Sequence, residues 1–297
     1  MGTPEYAEVI LARLLQTNGI DVVAVYTQPD KPVGRKKTMT PPPVKTLAQK
    51  HEISVYQPSR LKEEAVVEEL LQIACDYIVV AAYGQILPRA ILEHAPCINL
   101  HASILPQYRG ASPIQQTLLN DDKQTGVTAM LMEEGLDTGD ILKIVSFDVP
   151  KDMMLERLFE KLTHLAADLS VDVLQNFEQL TPQKQIESQA THCKKITKQD
   201  GLVNFEDAYT VYNKYRAFTP WPGVYLENGM KLKKLELLDK CALGKSGTII
   251  EIHKDNIVVA CTKGVLRIFS VQPPSKKEMS IIAYINGKRL GLDDILS

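Results

Sequence analysis

An amide and an imidazole stand two residues apart at the end of a short apolar run, residues 97–100. Residues i and i+2 of a strand face the same side, so Asn99 and His101 would project together. At the carboxyl edge of a parallel strand, where open α/β sheets bind ligands, such a pair suits proton transfer and stabilisation of a developing charge. The pattern also fits a buried histidine with a satisfied hydrogen bond beside a turn-forming asparagine.

The residues after His101 predict a loop fixed between a strand and a helix. Pro106 stops the strand, and Gly110 permits a close approach of the backbone. Ser112 followed by Pro113 is typical of a helix N-cap with proline in the first turn. Such a loop either lines a pocket with its main-chain groups or serves as a stiff connector.

A second loop of interest, residues 131–140, is acidic and contains Asp137 between Gly135 and Gly139. One interpretation is a simple turn between two strands. The other is that Asp137 lies near His101 and orients or charges the imidazole. The spacing of the residues does not decide between them.

A basic, proline-rich segment spans residues 28–50 and has a single acid, Asp30. Its glycine and prolines predict an exposed loop rather than a helix. A flexible basic loop suits contact with phosphates, although an isolated charge run is more often a solvated surface. The basic residues are Lys31, Arg35, Lys36, Lys37, Lys45 and Lys50.

The elements that would position these residues alternate between strands and helices, which predicts βαβ units and a doubly wound, mostly parallel sheet. A long amphipathic helix over residues 156–177 would close this α/β domain. The predicted strands cover residues 21–28, 76–82, 97–100, 126–132 and 141–149. The predicted helices cover residues 5–15, 44–50, 61–73 and 112–119.

The second part of the chain predicts a different architecture. One helix over residues 205–218 precedes five short strands separated by turn residues, which favours a small antiparallel β-barrel of the oligonucleotide-binding type. The strands cover residues 224–227, 231–238, 247–253, 257–261 and 265–271. The predicted domains are an α/β domain over residues 1–180, a linker over 181–200 and the barrel over 201–297.

Charge is distributed unevenly between the two parts. Residues 1–190 carry 17 Lys and Arg against 25 Asp and Glu, a net charge of −8, whereas residues 191–297 carry 17 against 11, a net charge of +6. A basic second part suggests a polyanionic partner, and chance surface composition would explain the asymmetry equally well.

Composition excludes several classes of protein. The chain has 297 residues, of which 44% are hydrophobic and 24% charged, so a disordered or fibrous protein is excluded. No apolar run approaches a membrane span, and five scattered cysteines without a C-x-x-C pair fit a reducing cytosol rather than a disulfide framework or a zinc site. We therefore expect a cytoplasmic protein without a metal. The absence of a pronounced exposed apolar patch in the sequence favours a monomer. No Gly-rich phosphate loop, H-E-x-x-H or G-x-S-x-G motif is present.

The first residues predict a loop that runs directly into a helix, although a doubly wound domain normally begins with a strand. Either the fold starts with a helix, or about five to eight apolar residues precede Met1, as expected for a short strand. A mass of the native protein that matches residues 1–297 would refute the second hypothesis.

Seven motifs occur along nearly the whole chain. They are MGTPEYA at 1–7, QPDKPVGR at 28–35, AAYGQILP at 81–88, INLHASILPQYRGASPIQ at 98–115, TGVTAMLMEEGLDTGDIL at 125–142, KITKQDG at 195–201 and RAFTPWPGVY at 216–225. Through the central motifs the chain resembles the formyl-tetrahydrofolate transferase superfamily. The basic loop, the RAFTPWPG segment and the expected C-terminal barrel narrow the resemblance to its methionyl-tRNA formyltransferase branch.

The resemblance implies a formyl transfer from 10-formyltetrahydrofolate to the α-amino group of methionine on initiator tRNA. It implies that Asn99, His101 and Asp137 are the catalytic residues. It also implies folate contacts from Ser103, Ile104, Leu105 and Pro106, and tRNA contacts chiefly from Arg35, Lys36 and Lys37, with the basic C-terminal barrel on the tRNA backbone.

Other members of the superfamily are alternatives. Glycinamide ribonucleotide formyltransferases share the Asn–His–Asp block but normally lack a second domain. Hydrolases of 10-formyltetrahydrofolate and sugar-nucleotide formyltransferases share it too and would not call for a basic barrel. An RNA-binding module with a vestigial α/β domain is a rival of another class, which the complete set of three residue types disfavours.

Overall fold

The structure is a computed structural model that describes residues 1–34 and 36–296. The chain divides into two compact units. The first unit consists of residues 1–113, 124–149 and 159–194, and the second of residues 114–123, 150–158 and 195–297. Among the described residues, no helix combines the length and apolar character needed to span a bilayer.

Among the described residues of the first two-thirds of the chain there are ten strands and six helices. The strands are β1 (Ala24–Tyr26), β2 (Lys31–Val33), β3 (Thr38–Thr40), β4 (Ser54–Tyr56), β5 (Ile78–Val80), β6 (Cys97–His101), β7 (Arg109–Gly110), β8 (Gln124–Leu131), β9 (Ile141–Asp148) and β10 (His192–Cys193). The helices are α1 (Glu5–Leu15), α2 (Pro43–Lys50), α3 (Glu64–Leu71), α4 (Arg89–Leu92), α5 (Pro113–Leu119) and α6 (Leu155–Gln175).

The main sheet of the first unit is mixed, with strand order β5-β6-β8-β9. β5 and β6 run parallel, as expected, whereas β6 and β8, and β8 and β9, run antiparallel. The expectation of a mostly parallel sheet was therefore wrong for its second half. For β8 and β9 the physical reason is their short connection, because a parallel crossover needs a dozen or more residues and residues 132–140 allow only a hairpin-type return. β6 and β8 are joined by residues 102–123, and the length of that connection does not explain their antiparallel direction.

The first two residues lie between two short parallel pairs of strands. The Gly2 N–H donates to the Tyr26 carbonyl at 3.0 Å, and the Ala81 N–H donates to the Met1 carbonyl at 2.9 Å. These contacts join the end of β1, which pairs with β4, to the end of β5. An apolar cavity of about 380 Å³ lies beside them, lined by α1, residues 19–25 and residues 74–79.

β6 is the strand that positions the candidate catalytic pair. It lies between β5 and β8, so its backbone is fixed on both edges. Ile98 and Leu100 are buried in the core at 1% and 2% exposure. Because side chains alternate across a strand, the burial of these two residues directs Asn99 and His101 to the opposite face.

The described part of the second unit contains a six-stranded antiparallel sheet, most of α5 and two further helices. The further helices are α7 (Ala208–Phe218) and α8 (Ile281–Lys288). The strands are β11 (Val224–Tyr225), β12 (Lys231–Leu243), β13 (Thr248–Ile252), β14 (Ile257–Ala260), β15 (Lys263–Gln272) and β16 (Met279–Ser280). β12, β15, β14 and β13 pair in that order, with β11 on the outer side of β12 and β16 against β15.

The predicted barrel is not closed in this sheet. Within residues 36–296, no ladder joins β13 back to β11, so the pairing path stays open. β12 is long and interrupted by register shifts against β15, which bend a strand strongly. The sheet covers an apolar core that includes Leu235, Val259 and Ile268 together with Ile281 and Ile285 of α8.

Candidate active site

Asn99, His101 and Asp137 converge at one place in the first unit. Asn99 Nδ2 donates to Asp137 Oδ1 at 3.3 Å, and His101 Nδ1 lies 3.7 Å from the same oxygen. The side chains of His101 and Asp137 are 7% and 11% exposed. An amide, an imidazole and a carboxylate, shielded from bulk water, can together hold a charge and transfer a proton.

Asp137 reaches the other two from the loop between β8 and β9. Its backbone adopts a left-handed conformation with φ of 55°, which is uncommon for a residue other than glycine. The Gly110 N–H donates to Asp137 Oδ2 at 2.7 Å, so the two carboxylate oxygens accept hydrogen bonds from two different segments. This arrangement decides between the two interpretations of the acidic loop, since Asp137 does lie beside His101.

The tautomer of His101 follows from its other contact. His101 Nε2 lies 2.9 Å from the Tyr108 carbonyl oxygen. A carbonyl oxygen only accepts hydrogen bonds, so Nε2 must carry a hydrogen. Nδ1 is therefore the ring nitrogen that faces Asp137, as an acceptor in the neutral ring and as a donor in the imidazolium form.

The loop predicted to contact folate is held by hydrogen bonds to Thr128 of β8. The Thr128 hydroxyl donates to the Ser103 carbonyl at 2.7 Å, and the Leu105 N–H donates to the Thr128 hydroxyl oxygen at 3.0 Å. Ser103 and Leu105 are buried at 0% and 2% exposure. Of the four predicted residues, Ile104 and Pro106 retain partly exposed side chains that a ligand can touch.

The two loops of the site are supported by a segment that sequence reasoning treated as a linker. Gln183 pairs with Ile141 through two backbone hydrogen bonds of 2.8 Å. β10 pairs in parallel with β7, which places Cys193 beside Gly110. We call residues 183–193 the strap. Its polar residues show neither helical nor strand periodicity, so no sequence pattern could have placed this segment at the site.

Gly110 is the point of closest approach between the strap and the site. Its φ is +116°, and a Cβ on this residue would lie 2.4 Å from the Cys193 carbonyl oxygen. We expect Gly110→Ala to lower the stability of the protein by about 2–4 kcal/mol, because it adds backbone strain to a clash with main chain. Denaturant unfolding measures the change, and Gly287→Ala is the control, since a Cβ there meets no atom within 4 Å. Equal stability of both variants would contradict this account of the strap.

Cys193 adds no reactive group to the site. Its Sγ accepts from the Ser112 N–H at 3.3 Å. Burial, followed by the charge of Asp137, raises the pKa of this thiol despite the hydrogen bond from Ser112. A buried thiol with a raised pKa is a poor nucleophile. In the part of the chain that the structure describes, no group of three or more His, Cys, Asp or Glu residues could hold a metal ion.

The basic segment is not one irregular loop, because β2 and β3 form a hairpin and Pro43–Lys50 form helix α2, close to the helix predicted over residues 44–50. β2 and β3 pair antiparallel and are exposed throughout. Lys36 and Lys37 lie at the exposed tip of the hairpin, whereas Arg35, the third residue predicted to contact tRNA, lies outside the described residues. Lys45 is not free for a partner, because it forms an ion pair of 2.8 Å with Asp30.

Two family models match the chain. The model described as "Formyl transferase" matches residues 1–174. The model described as "Formyl transferase, C-terminal domain" matches residues 195–289. Together they cover most of the chain and leave the strap between them.

Curated relatives match over the full chain. A methionyl-tRNA formyltransferase of Sulfurimonas denitrificans is 63% identical over 100% of this chain and 98% of its own length. One of Nitratiruptor sp. is 56% identical over 99% and 97%. One of Campylobacter jejuni is 51% identical over 100% and 98%.

Solved structures share the fold at low identity. An N-formyltransferase from Helicobacter canadensis, in complex with folinic acid and dTDP-3-aminofucose, has a TM-score of 0.68 at 18% identity and covers 90% of this chain and 96% of its own. HypX from Aquifex aeolicus, in complex with tetrahydrofolic acid, has a TM-score of 0.58 at 17% identity and covers 84% and 45%. At these identities the likeness describes the fold alone.

Proposed function

The chain belongs to the formyl transferase family, and from this premise we propose that it transfers the formyl group of 10-formyltetrahydrofolate to the α-amino group of methionyl-initiator tRNA. Relatives named methionyl-tRNA formyltransferase are 51–63% identical to this chain and match it over its full length. The observation that carries the proposed chemistry is the convergence of Asn99, His101 and Asp137.

The reaction forms one bond and breaks another at the formyl carbon. The neutral amine of the methionyl ester attacks that carbon, the bond to the folate nitrogen breaks, the amine loses a proton and the folate nitrogen gains one. Negative charge develops on the formyl oxygen in between. Asn99 Nδ2 has two N–H groups, of which one donates to Asp137, so the second is directed to this oxygen.

His101 and Asp137 complete the charge arrangement. With Nε2–H held by the Tyr108 carbonyl, an imidazolium at His101 donates Nδ1–H towards the developing oxyanion. The carboxylate of Asp137, 3.7 Å away, offsets that positive charge and accepts the amine proton through a water molecule. Direct attack needs no covalent intermediate with the protein, because holding the reactants together supplies much of the rate enhancement.

The folate needs a site with polar edges and apolar walls. We assign its walls to Ile104 and Pro106, whose side chains are partly exposed, with Ser103 and Leu105 acting through the fixed main chain. Ile86 in the segment AAYGQILP is 83% exposed, and an exposed apolar side chain suits an aromatic ligand.

The tRNA partner accounts for the positive charge of the basic hairpin and of residues 191–297. The hairpin tip with Lys36 and Lys37, and with Arg35 in its sequence, would meet the acceptor-stem phosphates. The second unit, with its antiparallel sheet in the role of an oligonucleotide-binding barrel, would contact further backbone phosphates. The excess of Lys and Arg over residues 191–297 supports this assignment.

Neutralising the hairpin tip tests the tRNA contact. We expect the double variant Lys36→Gln, Lys37→Gln to raise KM for methionyl-tRNA about tenfold near 150 mM salt and to lower the slope of log KM against log salt by about two. The KM for 10-formyltetrahydrofolate should not change. Steady-state kinetics over a salt series measures both KM values, and Lys62→Gln, which removes one charge at an exposed position outside the hairpin, is the control. If KM for methionyl-tRNA stays constant across the salt series, the hairpin does not contact the tRNA.

The function itself is tested by acceptor choice. The protein is incubated with 10-formyltetrahydrofolate and either methionyl-initiator tRNA or glycinamide ribonucleotide, and the formylated product is identified by mass spectrometry. We expect formylation of the tRNA only. Formylation of the ribonucleotide, or hydrolysis of the donor without transfer, would replace the proposal with one of the other activities of the superfamily.

We further propose that the enzyme acts as a monomer in the cytoplasm. The transferred group passes between two substrates bound to one chain, and the three proposed catalytic residues all come from the same unit. Sedimentation at micromolar concentration should give the mass of one chain, near 33.1 kDa. A dimer at that concentration would contradict the expectation.

A further inference from the structure

We propose that Gln185 of the strap is a positioning residue for Asp137. The Gln185 amide donates to the main-chain carbonyls of Asp137 and Gly139, at 2.8 Å each. The inference rests on the proposed formyl transfer, in which Asp137 accepts the amine proton. It assigns a role to a residue outside the motifs that carry the resemblance.

The orientation of the Gln185 amide is set by its third partner. Arg109 Nε donates to Gln185 Oε1 at 3.1 Å. A guanidinium N–H can only donate, so the oxygen of the amide faces Arg109 and the NH2 group faces the two carbonyls. Every hydrogen bond in this group then has one donor and one acceptor.

Arg109 is a firm anchor for that amide. It is 1% exposed, and its Nη1 donates to Glu187 Oε2 at 2.9 Å, which adds a second contact from the strap. The backbone N–H of Arg109 also donates to the Thr191 carbonyl at 2.9 Å. A buried arginine held by hydrogen bonds and a carboxylate does not move without a large cost.

These contacts close a ring around the carboxylate. Gln185 holds the main chain of Asp137, Asp137 Oδ2 accepts from the Gly110 N–H at 2.7 Å, Gly110 is bonded to Arg109, and Arg109 returns to Gln185. The ring fixes both the backbone and the side chain of Asp137. Without Gln185, the acidic loop would be held to the loop that contains Gly110 only through the side chain of Asp137.

The acidic loop needs this support. Residues 133–136 are exposed, so they bring little burial to the tip of the loop. Asp137 itself has φ of 55°, a strained conformation for a residue other than glycine, which persists only where its surroundings impose it. Gln185 provides contacts on both sides of Thr138, at the turn that carries Asp137.

Gln185→Glu tests the proposal with a nearly isosteric change that replaces the NH2 donor by an oxygen. We expect kcat for methionyl-tRNA formylation to fall about 10–100-fold, because a displacement of a catalytic group by about 1 Å costs that much. The KM values for both substrates should stay within about twofold. Gln189→Glu is the matched control, because it makes the same change at an exposed position of the strap. Gln185→Met, which keeps the volume without a charge, is used if the glutamate variant does not fold.

Two further measurements separate positioning from general damage. In an Asp137→Asn background, Gln185→Glu should cost less than about twofold, since a residue that acts through Asp137 has nothing left to position. Peptide-level hydrogen exchange over residues 108–112 should accelerate, because the Gly110 N–H reports on Asp137 Oδ2. Wild-type kcat in Gln185→Glu, or an equal loss in both backgrounds, would overturn the proposal. A wild-type protein that formylates no tRNA would instead refute the function, and the exchange result would still report on the ring.

Discussion

Asp137→Asn lowers kcat for formyl transfer by about 10²–10⁴-fold and leaves KM for 10-formyltetrahydrofolate within about threefold. The range is that of a lost general acid or base, since the amide cannot accept the amine proton. The folate contacts assigned above lie in residues 103–106 and do not include Asp137. The effect should therefore fall on turnover rather than on binding.

The hydrogen bonds of Asp137 predict a second consequence of the same substitution. Its two carboxylate oxygens accept from Asn99 Nδ2 and from the Gly110 N–H. An asparagine side chain has one acceptor oxygen and one donor nitrogen, so it can satisfy only one of these two donors. The amide of Asn99 or the main chain of Gly110 then loses a partner, which adds about 1–3 kcal/mol of destabilisation for a buried donor.

Single-turnover kinetics with saturating tRNA measures the chemical step, and isothermal titration with a stable folate analogue measures binding. Glu133→Gln is the matched control, because it removes the same charge from an exposed position of the same loop. We expect it to leave both quantities unchanged. An Asp137→Asn protein with normal turnover and weakened folate binding alone would move Asp137 from proton transfer to folate recognition.

The sequence predicted the local parts of the site well because they depend on local patterns. The apolar run 97–100 became β6, and the period of two placed Asn99 and His101 on one face. Helix α1 begins and ends at the predicted residues, since its apolar positions recur at helical spacing. The strand β4, with only three residues and no alternation, was missed.

The contacts that complete the site are not local. Asp137 and Gly110 meet across 27 residues, and Gln185 meets Asp137 across 48. Glutamine, asparagine and serine in a polar stretch carry no period, so the strap was indistinguishable from a linker. The resemblance grouped Asp137 with the pair on β6, but only coordinates show that the strap closes on both loops.

The mixed sheet shows how far the alternation of strands and helices predicts strand direction. Alternating strands and helices favour parallel pairing, and this rule holds for β5 with β6. It fails for β8 against both of its neighbours. Between β8 and β9 the reason is that a connection of nine residues is too short to cross over a sheet. Connection length, which is readable from the sequence once the strands are placed, would have given the correct direction for β9.

The second large expected effect on kcat depends on which ring nitrogen of His101 takes part in the reaction. Gln places an amide where Nε2 meets the Tyr108 carbonyl but leaves no group at the position of Nδ1. Asn places an amide N–H near the position of Nδ1 and loses the contact to Tyr108. We expect His101→Gln to lower kcat about 10²–10³-fold, the usual cost of removing an oxyanion donor, and His101→Asn to lose less because it retains a neutral donor.

The order of the two variants carries the test. Because Nε2 donates to a main-chain carbonyl at 2.9 Å, that nitrogen is fully engaged and Nδ1 must face the substrate. Exposed His51→Gln should behave as wild type, and thermal unfolding checks that the loss of the Tyr108 contact in His101→Asn has not unfolded the protein. If His101→Gln is the more active of the two, Nε2 rather than Nδ1 serves the reaction, and the charge arrangement with Asp137 must be redrawn around the other side of the ring.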